Sequence, residues 1–226
     1  MGFIDLLFPK LCIGCSSEGQ YICQNCLAKV QLLKPVCPYC EKASIDGFTH
    51  TKCKKKYGLD GLTSIWKYEG VIKKAIWSLK FKYATEVGRE LNGYMVEWLK
   101  SHTELVPNNY CLMPIPIHWY RENVRGFNQS MLIGKQIAEK MGWEFIPDVL
   151  VKKKPTASQV ELTVKARKKN LRGAFSVPSN TYLTTHNSQP ILVFDDVFTT
   201  GSTLHEAAKT LKRAGVEKVW GMTIAR

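Results

Sequence analysis

The sequence predicts an α/β fold, with a mostly parallel sheet flanked by helices and a small cysteine-rich module at the N-terminus. Seven of the eight cysteines fall within residues 12–53, and the rest of the chain contains only Cys111. After this cluster, short apolar runs alternate with longer segments whose apolar residues recur at helical spacing, which is typical of a parallel sheet. We therefore predict a module of residues 1–58 and an α/β domain of residues 59–226.

The α/β domain is predicted to begin with one strand and two helices. Residues 65–67 form the predicted strand. Apolar side chains then recur at helical spacing in two successive segments, so each segment is expected to bury one face of a helix. These apolar positions are Val71, Ile72, Ala75, Ile76 and Leu79 in the first helix, and Val87, Leu91, Met95, Trp98 and Leu99 in the second.

The remaining predicted elements alternate between strand and helix. An apolar run at 110–116 ends in prolines, and the helix that follows it closes at Gly142, because glycine favours the left-handed conformation that ends helices. After a polar stretch come a strand, a helix with a glycine C-cap and a final strand. These last elements are the polar stretch 152–170, the strand 191–194, the helix ending at Ala214 with Gly215 as its C-cap, and the strand 219–224.

The composition favours a partner that carries phosphate. The chain has 32 Lys and Arg against 19 Asp and Glu, which gives a formal net charge of +13. Such a surplus attracts nucleotides, nucleic acid or an anionic membrane surface, and charge alone does not choose among them. Apolar runs fall short of the roughly 18 residues of a membrane span, and the first one stops at Pro9. We expect a cytoplasmic protein without membrane insertion.

The cysteines form knuckles, in which two potential metal ligands are separated by two residues. Tetrahedral zinc takes four thiolate or imidazole ligands, and two knuckles together supply them, so the module predicts one or two structural zinc ions. The candidate ligands are Cys12, Cys15, Cys23, Cys26, Cys37, Cys40, His50 and Cys53. A disulfide framework or an iron–sulfur cluster is the alternative, but no secretion signal supports disulfides, and evenly repeated knuckles are less typical of clusters.

Spacing alone leaves the roles of His50 and Cys111 open. A lone histidine near a cysteine is often a solvent-exposed residue. The assignment of His50 as a zinc ligand therefore depends only on its two-residue spacing to Cys53. One filled zinc site beside one degenerate site is therefore the other interpretation. Cys111 lies in an apolar run, where cysteine behaves as a small buried hydrophobe, and we assign it no role.

The segment after the apolar run 191–194 has the pattern of a site for a phosphorylated sugar. Two acids are followed by a Thr/Gly/Ser turn that opens a helix, where backbone N–H groups, hydroxyls and the helix dipole favour a phosphate. Asp195 and Asp196 can accept hydrogen bonds from sugar hydroxyls or hold magnesium through water. The alternative is an ordinary helix start capped by Ser202 or Thr203, but carboxylates at the end of a buried strand need a partner.

At these residues the sequence resembles the motif of type I phosphoribosyltransferases that binds phosphoribosyl pyrophosphate (PRPP), an apolar strand followed by Asp-Asp and Thr-Thr-Gly-x-Thr. Nearly the whole chain resembles the competence protein F (ComF) family, whose members join a double zinc ribbon to a phosphoribosyltransferase domain. Further segments that carry the resemblance are Leu7-Phe8-Pro9, Leu79-Lys80-Phe81, Pro114-Ile115-Pro116, Arg125-Gly126-Phe127-Asn128-Gln129, Gln159, residues 167–175 and the final Ala225-Arg226. The resemblance implies a type I phosphoribosyltransferase-like sheet behind the zinc-ribbon module.

The resemblance also implies roles for individual residues in a site for PRPP and Mg²⁺. Asp195 and Asp196 would contact the ribose hydroxyls, and 199–203 would hold the 5′-phosphate. The implied PRPP-binding residues are Asp195, Asp196, Val197, Thr199, Thr200, Gly201, Ser202, Thr203, Arg121 and Arg125, and the candidate catalytic residues among them are Asp195, Asp196 and Arg125.

Two further segments correspond to family loops. Residues 114–129 occupy the position of the pyrophosphate loop, where Arg121 and Arg125 would bind the leaving group, since guanidinium groups bind phosphate oxygens in pairs. The alternative for either arginine is a solvated surface position. Residues 152–170 occupy the position of the mobile loop that closes over the substrate, and the lysines there have a second interpretation as solvated charge.

Three functions remain open. In the first, an enzyme displaces pyrophosphate from PRPP with an acceptor that the sequence does not identify. In the second, which the resemblance implies, the protein handles single-stranded DNA during natural transformation, with proteins of the DNA-uptake machinery as partners. Tyr21, Tyr39 or Phe48 would then stack on bases, the alternative being that they pack within the module. In the third, PRPP is a bound signal that switches partner contacts without turnover.

Overall fold

The computed structural model describes residues 9–79, 85–106, 110–119, 126–153, 171–178 and 189–226. Its six strands are β1 (Gly61–Trp66), β2 (Cys111–Pro114), β3 (Val151–Lys152), β4 (Phe175–Ser176), β5 (Ile191–Val197) and β6 (Val219–Ala225). Four of them form a sheet in the order β1-β6-β5-β2, with every neighbouring pair parallel. The other two, β3 and β4, pair as a short antiparallel ribbon. The parallel sheet with its helices confirms the predicted α/β fold class.

Helices cover both faces of the parallel sheet. The α-helices are α1 (Gln24–Leu27), α2 (Gly70–Ser78), α3 (Thr85–Ser101), α4 (Gln129–Met141) and α5 (Ser202–Arg213). One core contains side chains of α2, α3 and α4, and a second core on the other face contains those of α5. All seven residues of β6 are buried, as expected for a parallel strand covered on both faces. Within the described ranges, no helix combines the length and apolar character needed to cross a bilayer.

Several element boundaries differ from the predicted ones. β1 runs over Gly61–Trp66 rather than 65–67, because polar residues in its middle interrupt the apolar pattern. Thr63 is buried and donates to Leu105 O, and the half-buried Ser64 has its hydroxyl 2.7 Å from that of Thr223. Proline ends β2 at Pro114, two residues before the predicted limit of 116. The ribbon of β3 and β4 was not predicted, since two residues per strand leave no periodic pattern.

The strand before the candidate phosphate site is also longer than predicted. β5 continues past 194 to Val197, because Asp195 and Val197 extend the ladder with β6 and lie beside Thr223 and Ala225. The acids therefore belong to the end of the strand itself, just before its last residue Val197, and not to the start of a turn. Their backbone is held by the sheet, which places their side chains at its carboxyl edge.

The two predicted helix ends differ in outcome. α4 ends at Gly142, whose left-handed backbone (φ 68°) confirms the prediction. The C-cap of α5 is Ala214, so the prediction of Gly215 was wrong by one residue. Gly215 follows with φ 109° and reverses the chain toward β6.

The cysteine module lies along the open edge of β1. Leu33 N donates to Ile65 O (2.9 Å) and Lys67 N donates to Gln31 O (2.9 Å), so main-chain groups that an edge strand leaves exposed find partners in the module. Ile22 and Val30 of the module lie in the same core as α2, α3 and α4. The module thus packs as part of the fold, and the division at residue 58 stays a prediction.

Candidate metal centres and phosphate site

The first four cysteines form one compact group. The sulfur atoms of Cys12, Cys15, Cys23 and Cys26 all lie within 4.8 Å of one another. Cys15 Sγ and Cys23 Sγ are 3.7 Å apart, close to the edge of about 3.8 Å that follows for a tetrahedron with Zn–S bonds of about 2.3 Å. The N–H groups of Gly14 and Cys23 point at Cys12 Sγ (3.4 and 3.5 Å), an arrangement that stabilises a thiolate ligand. This donor set fits a closed, structural zinc site.

The thiols of this group differ strongly in proton affinity. Hydrogen bonds from Ser17 lower the pKa of Cys15 to about 6. The hydrogen bond to Cys15, and after it burial, raise the pKa of Cys26 to about 12. Four neighbouring thiolates repel one another unless a cation sits among them, so the chemistry of the group also favours a bound metal ion.

The second group joins three cysteines and a histidine. The ligand atoms of Cys37, Cys40, His50 and Cys53 also lie within 4.8 Å of one another. His50 Nδ1 is 3.3 Å from Cys40 Sγ, and its Nε2 is 3.0 Å from Ala43 O. Donation from Nε2 to this carbonyl leaves Nδ1 as the metal-binding atom, an arrangement typical of histidine ligands. The structure therefore brings His50 into a Cys3His set that fits zinc.

Asp195 and Asp196 lie at the carboxyl edge of the sheet, directly after Phe194, which pairs with the last residue of β2, Pro114. Asp195 Oδ1 accepts hydrogen bonds from Ser130 Oγ (3.3 Å) and from the backbone N of Asp196 (2.9 Å). Asp196 Oδ1 accepts one from the backbone N of Val197 (2.8 Å). Both carboxylates are partly buried. The pair therefore faces the place where ligands bind in open parallel sheets.

The start of α4 holds Ser130 beside Asp195. Asn128 caps this helix, its Oδ1 accepting from the N–H groups of Ser130 (3.0 Å) and Met131 (3.4 Å). Its amide also donates to Ile115 O (3.0 Å), which ties the helix start to the end of β2. Sequence reasoning did not identify Ser130 as a site residue. An asparagine before an apolar periodic segment is an N-cap signal, and it would have placed Ser130 at the same edge.

The acid pair has unusual proton affinity. Burial, and after it the negative charge of Asp196, raise the pKa of Asp195 to about 8. Near neutral pH, and without a bound ligand or cation, Asp195 therefore carries a proton for much of the time. A carboxyl group tuned in this way at a strand end is typical of functional sites.

The Thr/Gly/Ser turn leads from β5 into α5 through Gly201. Gly201 has a left-handed backbone (φ 67°) and is the N-cap, so the alternative in which Ser202 or Thr203 caps the helix is wrong. The hydroxyls of Thr200 and Ser202 lie 2.8 Å apart. Two adjacent hydroxyls at the N-terminus of a 12-residue helix form a setting that favours an anion.

A cleft of about 660 Å³ opens beside this turn. One wall is the turn and the first two turns of α5, and the other is the second half of the cysteine module. The residues that line it are Pro38, Tyr39, Glu41, Lys55, Tyr57, Leu171, Thr199, Thr200, Ser202, His205, Glu206 and Lys209. The volume suits a small ligand. The sequence did not predict that the cysteine module would line this cleft, or that His205 would be one of the lining residues.

The structure describes only some of the other predicted site residues. Arg121, Arg125 and the greater part of the 152–170 segment lie outside the described residues. Cys111 is buried in β2, as expected for a small hydrophobe. Tyr21 and Tyr39 are half-buried, and Phe48 is 51% exposed with its ring edge-on to Trp220.

Comparison with known proteins agrees with this architecture. Residues 3–55 match the model of the double zinc ribbon domain. The chain is 27% identical to competence protein F of Haemophilus influenzae, over 99% of this chain and 94% of that protein. It is 28% identical to the DNA utilization protein YhgH of Salmonella typhi (95% and 96%), and 25% identical to competence protein ComFC of Bacillus subtilis (91% and 79%).

Among solved structures, the chain is similar to an allosteric regulatory enzyme of purine biosynthesis (TM-score 0.41, 14% identity, 66% of this chain and 30% of that chain). The sequence matches extend over nearly the whole chain and include both metal groups. They confirm that this chain resembles the competence protein F family, with a double zinc ribbon at residues 3–55.

Proposed function

We propose that this protein binds PRPP with Mg²⁺ at the carboxyl end of β5 and that it acts in the handling of DNA during uptake. The observation that supports PRPP binding most is the pair of carboxylates at the end of a buried strand, followed within a few residues by a left-handed glycine that opens a helix. The carboxylates suit the hydroxyls of a sugar, and the helix start suits the phosphate of the same ligand.

Each part of the site has a role in this proposal. Asp195 and Asp196 would accept hydrogen bonds from the ribose hydroxyls, which favours the ionised form of Asp195. The backbone N–H groups of 199–203 and the hydroxyls of Thr200 and Ser202 would donate to the 5′-phosphate, assisted by the dipole of α5. Val197 continues β5 between the acids and the turn and so sets their spacing.

The diphosphate end of PRPP would lie toward β2, because that strand ends beside β5. Arg121 and Arg125 follow β2 in the chain and are proposed to bind the diphosphate oxygens. Mg²⁺ would neutralise the charge on this leaving group. In a catalysed transfer, the bond between C1 of the ribose and the diphosphate breaks, and a bond between C1 and the acceptor forms. Positive charge grows on the sugar ring during this step, and the ionised acid pair would stabilise that charge.

A second candidate function is direct binding of single-stranded DNA. The relatives are named for competence and for DNA utilization. Lys55 Nζ lies 4.6 Å from the centre of the Tyr39 ring, and the Lys56 ammonium and Arg213 guanidinium groups lie 5.4 and 5.5 Å from that of Tyr57. Rings interleaved with cations suit the bases and phosphates of a single strand. The same surface would also suit protein partners of the uptake machinery. In that case PRPP would be a bound signal that switches these contacts, and it would not be consumed.

Calorimetric titration of PRPP and Mg²⁺ into the purified protein tests the main proposal. We expect saturable binding to the wild type. The Asp195→Asn, Asp196→Asn double variant should bind with an affinity lower by at least about tenfold. The matched control is Glu139→Gln, Glu217→Gln, which removes the same charge from two exposed residues, one near the end of α4 and the other just before β6, and should keep wild-type affinity. Absence of PRPP binding to the wild type, or equal loss in both double variants, would contradict the proposal.

The same titration with a single-stranded oligonucleotide separates the candidate functions. DNA binding by contact with phosphates weakens steeply as salt is raised. A change in PRPP affinity when the oligonucleotide is present would show that the two ligands are coupled. PRPP binding without any oligonucleotide binding at low salt would contradict direct DNA binding and favour the enzyme or the signal.

A further inference from the structure

We infer that the second metal group, Cys37, Cys40, His50 and Cys53, positions the 199–203 turn through the stacked rings of Tyr39 and His205. Zinc in this group and a phosphate ligand at the turn then strengthen each other's binding. The ligand part of this inference rests on the proposed PRPP site, whereas the positioning of the turn can be tested without a ligand. Tyr39 and His205 would act as positioning residues, because neither is assigned contact with reacting atoms.

Tyr39 connects the metal group to α5. It lies inside the knuckle between Cys37 and Cys40, so the metal ligands determine its backbone position. Its ring stacks on the imidazole of His205, with centroids 4.5 Å apart and planes inclined by 21°. Its hydroxyl accepts a hydrogen bond from Leu59 N (2.9 Å), which holds the far end of the side chain. The ring is therefore held at both ends against the first turns of α5.

His205 supports Gly201, the glycine of the 199–203 turn. Its backbone N donates to Gly201 O (2.8 Å). A Cβ added at Gly201 would lie 2.7 Å from His205 Nε2 and 2.5 Å from Phe198 Cζ, so these two side chains leave the glycine no space for movement in that direction. The rings of Phe198 and His205 meet edge to face, with centroids 6.0 Å apart. Displacement of Tyr39 would expose one side of His205 and loosen this packing.

The first metal group packs against a different part of the molecule, which makes it an internal control. Ile22, just before its third ligand, donates to Glu90 Oε2 (2.8 Å) and accepts from the hydroxyl of Tyr94 (2.8 Å). Both partners belong to α3. Loss of zinc from the first group should therefore disturb α3, and loss from the second should disturb the turn.

Hydrogen exchange of the 199–203 amides, measured without PRPP, tests the positioning. His50→Ala and Cys15→Ser each remove one ligand from one group, and metal analysis establishes the zinc content of each variant. We expect about tenfold faster exchange of these amides in His50→Ala and unchanged exchange in Cys15→Ser. His50→Cys restores a thiolate donor and should restore slow exchange.

Two substitutions separate the ring contact from the metal itself. Tyr39→Phe keeps the stacked ring and loses only the hydroxyl, whereas Tyr39→Leu loses the stack with all four ligands in place. Tyr39→Leu should show the faster exchange of His50→Ala and a PRPP affinity reduced by about tenfold, within the range of known couplings between sites. Tyr39→Phe gives up the hydrogen bond from Leu59 N but keeps the stack, so it should stay much closer to the wild type than Tyr39→Leu in both measurements.

Zinc release to a chromogenic chelator tests the reciprocal effect, because coupling between two ligands acts equally in both directions. Saturating PRPP should slow release about tenfold in Cys15→Ser, where the second group is intact, and leave release unchanged in His50→Ala. A general gain in stability would slow release from both variants.

The outcomes separate this inference from the proposed function. If the wild type does not bind PRPP, the proposed function fails, and the ligand-free exchange still decides whether the second group positions the turn. If the wild type binds PRPP but His50→Ala and Cys15→Ser exchange alike at 199–203, or Tyr39→Leu behaves as Tyr39→Phe, the inference is wrong.

Discussion

At the scale of single residues, the environment of Asp195 shifts its pKa far above the ordinary value of an aspartate. Its pKa rises from 3.8 to about 8, first through burial and then through the charge of Asp196. The carboxyl group therefore takes up a proton on folding between these two pH values. Because the folded state holds more protons than the unfolded state there, stability falls as pH rises through this window.

Asp195→Asn should remove this pH dependence. The amide does not ionise, so the variant should be more stable than the wild type at pH 9 by at least about 1 kcal/mol, since one pKa unit corresponds to about 1.4 kcal/mol. The advantage should shrink as pH is lowered toward 6. Urea unfolding at a series of pH values in magnesium-free buffer measures it. Glu139→Gln, at an exposed position, is the control. Equal destabilisation of Asp195→Asn at every pH would show that burial does not control this carboxyl group.

At the scale of elements, the turn between β5 and α5 depends on a glycine for two separate reasons. The left-handed backbone of Gly201 is strained for any other residue, and the space for a Cβ is already filled by Phe198 and His205. Gly142, the C-cap of α4, has nearly the same backbone (φ 68°), but nothing lies within 4 Å of its Cβ position. The two glycines thus separate backbone strain from close packing.

Gly142→Ala should cost about 1 kcal/mol of unfolding free energy, the strain of a left-handed backbone. Gly201→Ala should cost about 2–4 kcal/mol, because overpacking adds to the same strain, and it alone should weaken PRPP binding. Urea unfolding of the two variants, with titration of PRPP, makes the comparison. Similar costs and equal PRPP affinity would mean that the turn adjusts around the added methyl group.

At the scale of the whole molecule, the metal module and the α/β domain form one packed structure. Ile22 and Val30 of the module lie in the core beneath α2, α3 and α4, and the module's backbone pairs with the edge of β1. Structural zinc sites contribute directly to folding free energy. Loss of zinc should therefore weaken the sheet as well as the module.

Removal of zinc with a chelator should lower the Tm of the whole chain by roughly 10 °C, which corresponds to a loss of about 3–5 kcal/mol for a chain of this size. Thermal unfolding followed by far-UV circular dichroism measures this shift. Addition of Zn²⁺ should restore the original Tm. A sheet that unfolds at the same temperature with and without zinc would show instead that the module is energetically separate.

The sequence by itself determined the features that depend on local pattern. Two-residue knuckles predicted both metal groups, because a pair of ligands at that spacing is a short-range property. Helical periodicity and a terminal glycine predicted α4 and its end at Gly142. A continuous apolar run followed by two acids predicted β5 as a buried parallel strand and placed the candidate site at its end. These signals need no knowledge of the remaining chain.

Tertiary structure decided whatever depends on residues far apart in the chain. The continuation of β5 through Asp195 and Asp196 requires the ladder with β6, which outweighs the low strand propensity of the acids. His50 joins the second metal group only when the 37–53 segment folds and brings Nδ1 to Cys40 Sγ. The contact of Tyr39 with His205 spans more than 160 residues of sequence, and no local pattern encodes it. It exists because the module packs along β1 and so reaches α5 at the carboxyl edge of the sheet.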